Sequence, residues 1–127
     1  KAYVKRHGLT NVSFEGTQEP QSYYRKSSIF MLTSSHEGWG LTLTEAQQFG
    51  CVPLAFNSYK SLSDIITDKR NGYIIEDLDM ETYKKRMQSL MDNINLRKEM
   101  ASHAIEDSKR YTARKVCESW YNLLNKL

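Results

Sequence analysis

The stretch Ile29–Phe56 reads IFMLTSSHEGWGLTLTEAQQFGCVPLAF and follows the pattern strand, turn, helix, strand. Its two ends, Ile29–Leu32 and Val52–Phe56, are short apolar runs. Such runs are typical of strands that are buried on both faces of a parallel sheet. Between them, the turn-forming residues 33–40 precede a helix that we predict over Leu41–Phe49.

The same alternation continues on both sides of this stretch. It predicts these further elements: the end of a helix at Lys1–His7 with Gly8 as its stop, a strand at Val12–Phe14 closed by Gly16, a helix over Pro20–Lys26, a helix over Ser61–Thr67 and a strand over Gly72–Ile75. Strands that alternate with helices predict an α/β class. We therefore expect one domain over residues 1–127, a Rossmann-like parallel sheet with flanking helices and a helical C-terminal segment.

The region after Ile75 is predicted to be helical throughout, because its apolar residues recur at helical spacing. Asp79, Asn95 and Thr112 are the predicted N-caps. Four methionines are expected in the core: Met80, Met87, Met91 and Met100. A last apolar stripe is usually core as well, although part of it is expected to be exposed if the helix packs on another domain: Trp120, Tyr121 and Leu124, continued by Leu127.

The composition excludes several classes of protein. The 127 residues are 39% hydrophobic and 26% charged, which is too apolar for a disordered chain. The net charge is +3, but the basic residues are spread along the chain, so we expect no nucleic-acid partner. This mild basicity leaves open a phosphate-bearing ligand and peripheral association with an anionic membrane surface.

The two cysteines, Cys51 and Cys117, have no metal-ligand spacing and lie in apolar segments. We expect both to be buried thiols in a reducing compartment, which predicts a cytoplasmic protein. The sequence has neither a signal peptide nor an apolar run long enough to span a bilayer. It begins with Lys1 inside a predicted helix, so we expect a fragment of a longer protein.

The candidate site lies where predicted strands end. In open parallel sheets, ligands bind at the carboxyl ends of the strands, from which residues 33–40 and 57–60 both depart. Gly38 and Gly40 flank Trp39 just before a helix. Glycines let a ligand approach the backbone, and a helix start offers unpaired amides and a positive dipole end. Together they predict a site for a diphosphate.

Two carboxylates flank this turn. Glu37 lies at the end of a strand, and Glu45 lies about one turn into the following helix. A carboxylate only accepts hydrogen bonds and has several lone-pair positions, so it suits the hydroxyl pairs of sugars. We therefore predict that the two residues contact two separate groups of hydroxyls.

These residues carry a family resemblance. The segment from Glu37 to Glu45, EGWGLTLTE, followed by GCVPLA, closely resembles the E-x7-E region of retaining GT-B glycosyltransferases of the large group 1 family. Three other segments are similar to that family in the same order: VSFEG from Val12, the approach Tyr24–Leu32, and DKRNGYII from Asp68. The resemblance covers nearly the whole chain and implies the carboxyl-terminal, nucleotide-sugar-binding lobe.

The resemblance implies the role of each residue. Glu37 contacts hydroxyls of the transferred sugar near the reacting centre, and Glu45 holds the ribose hydroxyls. The backbone of Gly38, Trp39, Gly40 and Leu41 holds the sugar hydroxyls and the diphosphate, with Thr42 near the phosphate end. The implied reaction transfers a sugar from a nucleoside diphosphate to an acceptor hydroxyl, with retention and without a metal or another cofactor. Polysaccharide biosynthesis is the implied setting.

The sequence also departs from the family. Asn57–Lys60 replaces a Gly-Gly turn, and Asp64 stands where many members have Glu, so we leave this loop out of the predicted site. The Arg and Lys that neutralise the diphosphate in the family precede Lys1, as does the N-terminal acceptor-binding domain. We therefore expect this fragment alone to be inactive. The strand at Val12 would lack its neighbour, which predicts either a homo-oligomer formed through an exposed sheet edge or a rearranged strand order.

Two alternatives remain at this point. One is a stand-alone flavodoxin-like binding or regulatory module without catalysis, but the expected acidic cluster at an early strand end is missing. The other is an enzyme of the phosphate-loop class, for which the sequence lacks G-x-x-x-x-G-K-[ST].

Overall fold

A computed structural model describes residues 1–126 and contains a sheet of three parallel strands. The strands are β1 (Ile29–Leu32), β2 (Val52–Phe56) and β3 (Tyr73–Ile75), in the order β1-β2-β3. Ile29 pairs with Val52, and Leu54 pairs with Tyr73. The predicted α/β class and the parallel sheet are confirmed.

The helices surround this sheet. Their bounds are α1 Ala2–Arg6, α2 Pro20–Tyr24, α3 Leu41–Gln48, α4 Leu62–Ile65, α5 Met80–Asp92, α6 Ile94–Ser108 and α7 Ala113–Leu124, with a 3-10 turn over Lys109–Tyr111 between α6 and α7. Gly50 has φ +79° just after α3, which confirms it as the stop of that helix.

The central strand β2 is buried at every position, as its apolar run predicts. One buried cluster joins the sheet to α5 and α6 and includes Tyr83, Leu90 and Met100. A second buried cluster joins the sheet to α3 and α4 and includes Leu43 and Leu62. Helices on both faces explain why β2 shows no polar alternation.

The prediction that β1 is buried on both faces is wrong. Met31 is 49% exposed, and the other three residues of the strand are half-buried. The reason is position: β1 pairs with β2 on one side and is an edge of the described sheet. The strands follow one another in chain order, and an oligomer formed through an exposed sheet edge stays a prediction.

The predicted strand at Val12–Phe14 is also wrong, because the described residues 9–19 form no helix or strand. Val12 is 41% exposed and Phe14 is 52% exposed. A strand exists only through hydrogen bonds to a neighbour, and within residues 1–126 this segment pairs with none.

Helix starts follow the predicted caps in part. Asp79 caps α5 by accepting a hydrogen bond from the Thr82 amide at 2.9 Å. The N-cap of α6 is Asn93 rather than the predicted Asn95, because α6 begins directly after α5 ends. Thr112 occupies the N-cap position of α7, but its hydroxyl donates to the Lys109 carbonyl instead of accepting from an amide.

Burial of the sulfur-containing residues is also mixed. Cys51 is buried as predicted, whereas Cys117 is exposed on α7. Met100 is buried and Met87 packs half-buried against the core, as predicted. Met80 and Met91 are more than half exposed, contrary to the prediction; they lie at the two ends of α5.

The last helix, α7, buries none of its described residues. The apolar stripe of Trp120, Tyr121 and Leu124 is 60–69% exposed, so its assignment to the core is wrong and the expectation of exposure holds. Leu127, the predicted continuation of the stripe, lies outside the described residues. No helix within residues 1–126 is both long and apolar enough to cross a bilayer.

Candidate functional site

The glycine-containing bend joins the end of β1 to the start of α3. Gly40 is the N-cap of α3 and has φ +91°, a conformation that favours glycine strongly. A Cβ built on Gly40 would lie 2.7 Å from the Tyr59 hydroxyl and 3.4 Å from Cδ1 of Ile65. Both backbone conformation and packing therefore require glycine at this position.

Gly38 differs from Gly40. Its φ is not in the left-handed region, and a Cβ built on it would meet nothing within 4 Å. The fold therefore does not need glycine here. The open space above Gly38 is what a ligand needs to approach the backbone closely.

The loop after β2 is fastened to this bend by two serines. Ser58 donates to the Ser34 carbonyl at 2.7 Å. Ser61 donates to the carbonyls of Gly38 and Trp39 at 3.1 and 3.2 Å. The loop leaves the carboxyl end of a strand, where ligands bind in such sheets, but we left it out of the predicted site because its sequence departs from the family pattern. In the structure, its hydrogen bonds support the bend.

Glu37 is half-buried on the strand side of the bend. Its neighbour is Tyr59, whose hydroxyl is buried and finds no hydrogen-bond partner within residues 1–126. Burial and, secondarily, the charge of Glu37 raise the pKa of Tyr59 to about 12. Tyr59 is thus kept as a neutral phenol beside a carboxylate, and sequence reasoning missed it because nothing in its local motif marks it.

Glu45 is exposed one turn into α3 and is held by a buried tyrosine. Tyr24, which is 5% exposed, donates its hydroxyl to Oε2 of Glu45 at 3.2 Å. Burial and the charge of Glu45 raise the pKa of Tyr24 to about 12. This bond orients the carboxylate and leaves most of its lone-pair positions available.

A cavity of about 210 Å³ lies beside Glu45. Glu45 lines this cavity, whereas Glu37 does not. The lining residues are Glu19, Pro20, Gln21, Tyr24, Glu45, Gln48 and Phe49. A second cavity of about 380 Å³ shares Pro20 and Tyr24 with it and extends along residues 13–23 and Phe30. A concave surface therefore runs from Glu45 along the irregular segment before α2.

The start of α3 is open to a ligand. No side chain within the described residues forms a capping hydrogen bond at the N-terminus of α3, and Leu41 and Thr42 are exposed in its first turn. Trp39 is 37% exposed and makes an edge contact with Tyr111 at a ring-centroid distance of 5.5 Å. The predicted site residues therefore lie along one bend and one helix start, and their roles in binding stay predictions.

The segment Asp68–Ile75, which also resembles the family, contributes to the packing of the fold. Asn71 is fully buried and accepts a hydrogen bond from the Thr67 amide at 2.8 Å. Its amide donates to the Ile65 carbonyl at 3.3 Å and to Oδ2 of Asp107 at 2.9 Å. Asn71 therefore holds the turn that leads into β3 and joins it to α6.

No group of three or more His, Cys, Asp or Glu side chains that could hold a metal ion occurs among residues 1–126.

Comparison with known proteins extends these observations. Residues 1–107 match the family model of glycosyl transferases group 1. The chain is 32% identical over 117 residues to the poly(ribitol-phosphate) alpha-N-acetylglucosaminyltransferase of Staphylococcus aureus (strain COL). This match covers 91% of the chain but only 24% of that relative.

Two solved structures show the same fold. A mutant of S. aureus TarM, in complex with fondaparinux, alpha-GlcNAc-glycerol and UDP, matches with a TM-score of 0.87 at 30% identity, over 98% of this chain and 26% of that one. The C-terminal domain of the group 1 family protein LpcC of Francisella tularensis matches with a TM-score of 0.75 at 26% identity, over 88% of this chain and 60% of that one. A flavodoxin-like module is not favoured. The chain has the Rossmann-like fold of a GT-B carboxyl-terminal lobe and belongs to the group 1 glycosyl transferase family.

Proposed function

We propose that this chain binds a nucleoside-diphosphate sugar, and that the protein to which it belongs transfers the sugar to an acceptor hydroxyl. The observation that carries this proposal is the order of groups along the chain: Glu37 precedes the uncapped start of α3, and Glu45 follows it about one turn into the helix. A carboxylate, uncapped amides and a second carboxylate in this order match a ligand with hydroxyls at both ends and negative charge in the middle.

The chemistry follows from this order of groups. The amides and the positive end of α3 bind the diphosphate and stabilise its charge as it leaves. Glu45, oriented by Tyr24 at 3.2 Å, accepts hydrogen bonds from the ribose hydroxyls. Glu37 accepts from hydroxyls of the transferred sugar and favours the positive charge that develops on its ring. Catalysis is therefore positional and electrostatic, without a metal.

The relatives support a particular form of the reaction. The TarM structure contains UDP, and the S. aureus relative is named an alpha-N-acetylglucosaminyltransferase. An α product formed from an α-linked nucleotide sugar corresponds to retention, which we include in the proposal. The chain spans about a quarter of that relative. We therefore propose that the remainder of a longer protein binds the acceptor, and that the apolar stripe on α7 packs against it.

Calorimetric titration tests the nucleotide site. We expect the wild-type protein to bind one of UDP, GDP or ADP, with UDP as the first candidate. Glu45→Ala removes the acceptor for the ribose hydroxyls and should weaken this binding by about tenfold or more, because a buried or ligand-facing hydrogen bond to a charged group contributes about 1.5–3 kcal/mol.

Glu99→Ala is the matched control, since it removes an exposed helical glutamate from α6 and should leave affinity unchanged. If Glu45→Ala binds the nucleotide as tightly as the wild type, the role of Glu45 is wrong. If the wild type binds none of the three nucleotides, the proposed ligand class is wrong.

A further inference from the structure

The hydroxyl of Tyr59 is a buried polar group with no hydrogen-bond partner within residues 1–126. Buried polar groups in folded proteins nearly always have a partner, so an exception needs a reason. A phenylalanine would fill the same space without leaving a donor unpaired. The fold of the ligand-free chain therefore gives no reason for the hydroxyl.

The hydroxyl is held in place from two sides. It lies against the backbone of Gly40, where a Cβ would come within 2.7 Å of it. Tyr59 is also flanked by Ser58 and Ser61, which are bonded to the carbonyls of Ser34, Gly38 and Trp39. These bonds fasten the loop that carries Tyr59 to the bend.

Glu37 is half-buried and lies three residues before Gly40 in the same bend, and its charge acts on the hydroxyl that lies against Gly40. A phenol donates and a carboxylate accepts, so the two are chemically matched partners. They are not hydrogen-bonded in the ligand-free chain.

We propose that Tyr59 is a positioning residue for Glu37: its hydroxyl donates a hydrogen bond to the Glu37 carboxylate when the sugar of a nucleoside-diphosphate sugar binds at the bend. The bond orients Glu37 toward the sugar hydroxyls and gives the buried phenol its partner. This inference rests on the proposed function, and it concerns the sugar end of the site, whereas Glu45 concerns the nucleotide end.

The test uses Tyr59→Phe in the full-length protein with UDP and with whichever of UDP-glucose and UDP-N-acetylglucosamine the wild type binds more tightly. We expect an unchanged or higher melting temperature without ligand, because no hydrogen bond is lost. UDP affinity should stay within about twofold, while nucleotide-sugar affinity should fall about tenfold, the effect of one bond to a charged group.

Tyr83→Phe is the matched control. Tyr83 is 2% exposed, and its hydroxyl donates to the Leu54 carbonyl at 3.1 Å. Its removal breaks an existing bond, so the melting temperature should fall while the ratio of nucleotide-sugar to UDP affinity stays the same. Both variants lose a phenol oxygen, but Tyr83→Phe should lower the melting temperature and Tyr59→Phe should lower the affinity for the nucleotide sugar.

A double-mutant cycle tests whether Tyr59 acts through Glu37. We expect Glu37→Ala with Tyr59→Phe to bind the nucleotide sugar within about twofold of Glu37→Ala alone, because Glu37→Ala already removes the acceptor of the proposed bond and coupled residues are not additive. Three outcomes would each overturn the inference. The losses in the double mutant are fully additive, Tyr59→Phe keeps the wild-type affinity for the nucleotide sugar, or its melting temperature falls as much as that of Tyr83→Phe. A wild type that binds no nucleotide contradicts the proposed function instead.

Discussion

The turn over residues 67–72 and the bend over residues 33–40 both adjoin strands of the sheet, but they treat their buried polar groups differently. In the turn, both ends of the Asn71 amide are paired, with Thr67, Ile65 and Asp107. At the bend, the buried hydroxyl of Tyr59 has no partner among the described residues.

This difference separates a structural feature from a candidate ligand-binding feature. A buried group that is fully paired in the free chain contributes to folding and leaves nothing for a ligand. A buried or uncapped group that is left unpaired in the free chain still has its bonding capacity available for a ligand. Two segments that both resemble the same family therefore have different tasks: the turn holds β3 against α6, and the bend is the part that we propose binds the nucleotide sugar.

The largest expected effect is on the turn. Asn71→Ala removes three hydrogen bonds: the Thr67 amide loses its partner, and the buried Ile65 carbonyl keeps only its bond from Gln47. We expect a loss of about 3 kcal/mol in the free energy of unfolding, measured by urea denaturation. Asn95→Ala, which changes an exposed asparagine on α6, should be nearly neutral. A stable Asn71→Ala protein that has lost nucleotide binding would reverse the two assignments.

An intermediate effect is expected at the bend. Gly40→Ala places a Cβ 2.7 Å from the Tyr59 hydroxyl at φ +91°, which should cost about 2 kcal/mol of stability and weaken UDP binding. Combining Gly40→Ala with Tyr59→Phe removes the clashing oxygen and should recover part of the lost stability. The stability lost to the strained φ of the alanine should not be recovered.

Gly38→Ala is the control for this change, since its Cβ would meet nothing within 4 Å. We expect unchanged stability in urea. If a ligand uses the open space above Gly38, affinity for the nucleotide sugar should still fall. A Gly38→Ala protein as unstable as Gly40→Ala would contradict the distinction between the two glycines.

The smallest effect is expected within the turn itself. Lys69 has φ +64°, a left-handed conformation that favours glycine. Lys69→Gly relieves the left-handed strain but adds chain entropy to the unfolded state, so we expect a gain of about 0.5 kcal/mol in urea denaturation. Lys69→Ala keeps the strain and should give no gain. If the two variants are equally stable, backbone conformation is not what limits this position.

Much of the candidate site could be predicted from local patterns. The strand–turn–helix signal placed Glu45 in the first turns of α3, and the structure agrees, whereas Glu37, predicted at the end of a strand, lies within the bend after β1 has ended at Leu32. Tyr24 and Tyr59 could not be found in this way, because they contact Glu45 and Gly40 from distant parts of the chain. Their importance comes from pairing in space, which periodicity does not encode.

The amino-acid sequence by itself determined the α/β class, the buried central strand β2, the helix that begins after Gly40, and the family, because these depend on short-range patterns of apolar residues and glycines. Only the tertiary structure decided that β1 is an edge, that Val12–Phe14 is no strand, and that Cys117 is exposed. These outcomes depend on which neighbours are present to pair with a strand or to cover a helix, and a local pattern carries no information about neighbours.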